Sequence, residues 1–473
     1  MTRLVKISFI RPITTTPILL LFLVAGLLPS LPVQLHLFHT AEAGQKLACI
    51  DYDESENTIS VSCNASFLDV VQTINDPGIL ENQGNGEYLL NANLEIDDDI
   101  TFSMTSAADG LQYLKLAGEN GIIVDGTILI DGVKITSWDI SAGDVIHQDI
   151  NGTIPRGYVR FAGSEGSQIL NSEFGYLGDV QIGRRGFDLL NSGEGPSHDM
   201  VIRGSKFHHL YFAFYSNGAY NITIDGNEYY NNIRYALDPH TGTHDITITN
   251  NWVHHNPLGI ICSLDCYNIL IEGNLVEHNV DEGIFFSRNV YDSIARNNYV
   301  SNSTTGIVLT ESPNNQIYNN RIEGATVRGI RLLNPMPAVD GITEGNLVYN
   351  NTIIDSERGI EATRSHDNTL EGNIFSDIQS SEYRLSGNSS IIIKGQLFDN
   401  ALISQENSQI DSHVEIVDSG VIEVTEGGAS DNDDDDVDEE EDDEEEGDSY
   451  NTDIEPYRRT LSGGEDITIN NTS

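Results

Sequence analysis

The stretch NITIDGNEYYNNIRYALDPHTGTHDITITNN, residues 221–251, ends on nearly the phrase with which it begins. A short run with apolar residues at alternate positions closes on Gly-Asn at Asn227 and on Asn-Asn at Asn251. The phrase returns as NILIEGN at Asn274, DSIARNN at Asn298 and NQIYNN at Asn320, at spacings of 24, 23, 24 and 22 residues. A second series, Asn232, Asn256, Asn279 and Asn302, keeps the same period. So does a small residue followed by a hydrophobic one: Ala213-Phe214, Ala236-Leu237, Gly259-Ile260, Gly283-Ile284, Gly306-Ile307 and Gly329-Ile330.

Three short strands per repeat, each closed by Gly or Asn, leave no room for a helix. A leucine-rich repeat would need Leu at fixed offsets, and a β-sandwich would not need Asn at the same corner in each repeat. The pattern predicts an all-β chain folded as a right-handed parallel β-helix, one solenoid turn per repeat of about 23 residues. Successive turns then stack about 4.8 Å apart. Asn suits their corners because it tolerates left-handed backbone angles and its amide can bond to the Asn above and below.

The register sorts inside from outside. The column Phe214, Leu237, Ile260, Ile284, Ile307, Ile330 is apolar and faces the core. Alternation along a strand then turns the next residue, and the one two beyond it, to solvent. In one turn these are Phe285 and Ser287; in the stretch quoted above they are Asp238 and His240. The turn before supplies Tyr215 and Asn217, and the turn after supplies Ile261 and Ser263. Tyr215, Asn217, Asp238, His240 and Ser263 therefore form one polar patch, with Arg234 close by and Arg288 one residue past the His column. Asp-Pro is also a common turn dipeptide, so a surface turn is the competing reading of Tyr235 to His240. Proline is disfavoured inside a stacked sheet, and its occurrence here marks this turn as different from the others.

The ends of the chain read differently. Lys6 and Arg11 precede an apolar run that closes on Ala41-Glu42-Ala43, the pattern of a cleaved signal peptide over residues 1–43. Residues 44–85 are expected to cap the exposed edge of the solenoid, which runs over 86–425. Residues 426–473 include a block, 431–448, with 15 acidic and no basic residues. Such a block is predicted to be a disordered tail. The net charge of −49 excludes a protein that binds nucleic acid through its phosphates. Cys49 and Cys63 bracket a loop of hairpin length and are expected to pair in an oxidising compartment; Cys262 and Cys266 are either a second pair or buried thiols. The Asn64, Asn151, Asn221 and Asn302 sequons are compatible with glycosylation.

The segment at residues 208–251 resembles the core of the mannuronan (alginate) C-5 epimerases, whose hallmark is Tyr-x-x-Asp-Pro-His on a parallel β-helix. The resemblance extends weakly through KITSWD at 134–139, NSEFGYLG at 171–178 and GIFFSRNVYDS at 283–293, and covers about 90 to 360. It implies a secreted or cell-surface isomerase that inverts uronic acid residues within an anionic polysaccharide. Tyr235 and His240 match the acid–base pair, with the base left open between them, and Asp238 would orient or polarise them. Two departures stand out. His255-Asn-Pro-Leu258 and Asp281-Glu282 occupy places where the family carries basic residues, and Thr241 follows His240 where an acid is usual. Neutralising the substrate carboxylate would then fall to Arg234, Arg288, His255 or a bound cation, with Tyr215 also lining the substrate. The sequence requires no cofactor, though calcium could bridge an acidic protein to a polyuronate. The mature chain is expected to be monomeric, without a membrane span. A polyuronate lyase on the same fold and a non-catalytic carbohydrate-binding surface protein are the alternatives.

Overall fold

The structure is a computed structural model describing residues 47–191, 195–335, 340–387 and 389–394, and the strands Leu402–Gln405, His413–Val417 and Glu423–Glu426. The expected signal peptide and acidic tail lie outside the described residues. Among those residues, no helix is long and apolar enough to cross a membrane.

Strands stack into three sheets of 16, 14 and 13 members, parallel except for one hairpin at the start of the first and of the third, and the chain visits each sheet once per turn. One circuit runs through Tyr220–Asp225 in the second sheet, Glu228–Tyr230 in the third and Tyr235–His240 in the first. The parallel β-helix expected from the repeat is therefore the observed architecture. Inward residues stack in columns. Leu237, Ile260, Ile284, Ile307, Ile330 and Ile360 follow one another in register in the first sheet, each at most 1% exposed. In the third sheet Phe174, Phe207 and Tyr229 stack ring on ring at 5.1 and 4.9 Å.

The asparagines act as the repeat predicts. Each buried amide nitrogen from Asn227 to Asn351 donates to the side-chain oxygen of the next ladder member, through Asn251, Asn274, Asn298 and Asn320 to Asn373, at 2.9–3.1 Å. Asn232, Asn256 and Asn279 form a second ladder. Asn302, expected as its fourth member, is displaced by one residue. It takes the left-handed corner (φ 54°) that His255 and His278 occupy in the turns before, and the buried Ser303 stands in the ladder position. At the entry to the first sheet the turns press together: a β-carbon on Gly306 would stand 2.6 Å from the carbonyl oxygen of Gly329.

The first described residues are built differently. The hairpin Ile50–Asp53/Thr58–Val61 is antiparallel, its outer ends joined by a Cys49–Cys63 disulfide. Helix Phe67–Ile74 follows, started by a capping box between Ser66 and Asp69, which satisfies otherwise orphaned backbone donors. A second antiparallel hairpin, Leu80–Gly84/Glu87–Leu90, leads into the stack. Cys262 and Cys266 are free and fully buried.

Candidate active site

The polar patch lies on the outer face of the first sheet. Tyr215 is in register with Asp238, and Asn217 with His240, which is in turn in register with Ser263. The Tyr215 ring stands 5.4 Å from the His240 ring. Asp238 was expected to face solvent, and it does not: it is 1% exposed. Its column places Tyr215 on one side and Ile261 on the other, both bulkier than a carboxylate and themselves buried.

Positive charge surrounds His240. The Arg288 Nη2 lies 3.4 Å from His240 Nε2, and Thr241 Oγ1 lies 2.6 Å from Nδ1. An arginine can only donate, so Nε2 accepts and the proton sits on Nδ1, directed at the threonine. Thr241 thus fixes the imidazole from the position where the resemblance led one to expect an acid. Burial, with Arg288 and Arg185 adding repulsion, pushes the His240 pKa down to about 3. The ring is therefore neutral at ordinary pH, with its Nε2 lone pair on the side of Arg288.

Arg185 is the cation the sequence reading missed. Its guanidinium stacks 4.4 Å from the Tyr215 ring centroid, and its backbone N–H donates to Asp188 at 2.9 Å. Burial raises the Tyr215 hydroxyl to about 12 against the pull of Arg185, so it stays protonated. Burial likewise lifts Asp188, wholly enclosed, to about 6. The signal was present. Arg184 and Arg185 directly precede Gly186-Phe187, a small-residue and hydrophobic pair like those that open the later turns. It was masked because a register shift between Gly186 and Asp188 puts this turn out of step with the regular repeat.

Tyr235 lies on the same strand as His240, five residues earlier. Its ring packs edge-on against Phe212 at 4.9 Å and joins the outward apolar cluster of Ile261, Phe285 and Val308. The Arg234 guanidinium is 5.7 Å from that ring. His255 does not belong to this group. It occupies a corner after a third-sheet strand, where its ring packs with His254 and with His278 at 5.3 Å.

Comparison with known proteins bears on this arrangement. A family model described as periplasmic copper-binding protein (NosD) matches residues 119–336. Mannuronan C5-epimerases of Pseudomonas fluorescens and Pseudomonas aeruginosa are similar over 153 residues, at 29% and 27% identity, or 30% of this chain. That match spans 28% of each relative's length. The solved structure of the periplasmic alginate epimerase AlgG superposes with a TM-score of 0.59 at 20% identity, over 76% of this chain and 85% of that one. The two chains share a fold.

One group among the described residues has the geometry to hold a metal ion: Glu165, His198 and Asp199, whose ligand atoms lie within 4.8 Å of one another. Its carboxylates are exposed, and it is built from second-sheet corners, away from the first-sheet patch.

Proposed function

We propose that this chain is a C-5 epimerase of uronic acid residues in a polyuronate of the mannuronan type, working outside the cytoplasm as a monomer. The observation that carries the reading is the neutral, half-buried His240 held between Thr241 and Arg288 on a β-helix face that also carries Tyr215, Tyr235 and Asp238. The similarity to mannuronan C5-epimerases supports it. So does the Cys49–Cys63 disulfide, a bond that persists in oxidising compartments.

Inversion at C-5 removes a proton beside a carboxylate and returns one from the opposite face of the sugar. The base and the acid must therefore stand on either side of a pyranose ring. Tyr215 touches His240 too closely to admit one. Tyr235, about 16 Å back along the strand at the backbone, leaves the space. His240 Nε2 then takes the C-5 proton and Tyr235 returns one from the other side. As the substrate carboxylate enters, Arg288 turns from the imidazole to the incoming anion, and Arg185 adds a second cation. Both stabilise the charge that builds on the carboxylate as C-5 is deprotonated. With two arginines in that role, turnover is expected to persist when calcium is chelated.

The test is proton NMR of polymannuronate incubated with the protein in D₂O, with and without chelator. Deuterium at C-5 together with guluronate signals is the expected result. An unsaturated, UV-absorbing product without inversion would establish β-elimination instead, and no deuterium across several polyuronates would overturn both enzymatic readings.

A further inference from the structure

Four turns beyond Asp238 the same outer column of the first sheet becomes strongly charged. It runs Ile261, Phe285, Val308, Arg331, Glu361, Arg384, each in register with the next. Arg328 and Arg358 form a neighbouring column. Four guanidinium groups converge on the single carboxylate of Glu361: Arg328 Nε at 2.7 Å, Arg358 Nη1 at 2.9 Å, and the Nε atoms of Arg331 and Arg384 at 4.0 Å each. Glu357 contributes one more carboxylate, 3.3 Å from Arg358 Nη2. The Nε of Arg358 is buried and lacks a hydrogen-bond partner. In a protein with 73 acidic and 24 basic residues, gathering four arginines here makes a second anion-binding surface on a strongly acidic chain.

The chain itself carries an anion within reach of this place. The Arg384 column continues through Ser404 to Thr425, in the strand Glu423–Glu426 at the end of the first sheet. Thr425 is two turns from Arg384, about 10 Å. The 15-acid block starts at residue 431, and the four residues between can span about 13 Å when extended. The last described strand of the first sheet therefore ends four residues short of the densest negative charge in the sequence.

We propose that residues 431–448 dock on the arginine cluster around Glu361 and act as a tethered polyanion that competes with other polyanions for the outer face of the first sheet. That the displaced competitor is a polyuronate rests on the function proposed above; the docking does not. A tether this short holds the tail at millimolar effective concentration. A long polymer, making many contacts, would displace it more readily than a short oligomer.

The experiment uses the full-length chain with Glu439, Glu440, Glu441, Glu444, Glu445 and Glu446 replaced by Gln, beside the unaltered chain. The probe is a fluorescent synthetic peptide of residues 431–448, followed by anisotropy. The expected result is at least tenfold tighter peptide binding to the neutralised-tail chain, lost on adding Arg331→Ala with Arg384→Ala and lost in 0.5 M salt. Equal binding to both chains, or binding indifferent to the arginine substitutions, overturns the docking. Polymannuronate is then titrated into the peptide complex. Release of the peptide supports competition for one face, and retention overturns it, whatever the NMR assay shows about epimerisation.

Discussion

At the scale of single residues, the decisive feature is the protonation state of His240. Replacing His240 with Gln should lower C-5 deuterium incorporation by about 10²–10⁴-fold, the range for losing a positioned base. Tyr235→Phe should do the same, whereas Tyr215→Phe, which removes a hydroxyl that transfers no proton, should retain most of the rate. With its pKa near 3, His240 stays basic through mildly acid pH, so kcat/KM should show no loss near pH 6.5, where an ordinary histidine titrates. Stability follows with a definite sign. Between about 6.5 and 3 the unfolded chain binds a proton that the native His240 refuses, so its contribution is complete above 6.5 and falls as the pH drops. Asp188 runs the other way. Raised to about 6, it favours the fold at low pH and costs stability as the pH rises through 6. Asp188→Asn should therefore raise Tm at pH 7.5 more than at pH 4.5 in paired thermal melts.

At the scale of the repeated element, the side-chain ladders carry both the stability and what the sequence could reveal. Asn274 receives the backbone N–H and side-chain amide of Asn251, and donates to Ile248 O and Asn298 Oδ1. Asn274→Ala strands these buried partners, each costing about 1–3 kcal/mol, and chemical denaturation should show a loss of about 3 kcal/mol or more. The same regularity made the core columns and the Tyr235-to-His240 strand readable, because a fixed period fixes which face each residue takes. Sequence reasoning failed where the period slipped. Arg185 precedes a register shift, and Asn302 looks like a ladder residue by spacing but sits one place early. His255 resembled a substrate contact because a one-dimensional reading cannot tell that a corner lies between two sheets. The burial of Asp238 escaped for another reason: alternation gives the direction of a side chain, not the bulk of its neighbours.

At the scale of the whole molecule, each turn touches chiefly the turns on either side, so stability is nearly a sum of local terms. The Cys49–Cys63 bond closes a loop of 14 residues, and such a link contributes about 3 kcal/mol. Cys63→Ser should accordingly speed backbone hydrogen exchange first in the hairpin at residues 50–61 and the strands stacked on it, while the strand Tyr235–His240 keeps its protection longer. Because every turn adds about 4.8 Å, the distance from His240 to the arginine cluster is set by a count of turns rather than by any side chain. Inserting or deleting one complete turn between Ser263 and Arg328 would slide the two sites apart or together by a single step and leave the contacts within each intact. The solenoid is in this sense a ruler with interchangeable divisions, on which natural or designed length variants could reset the polymer length that spans both marks.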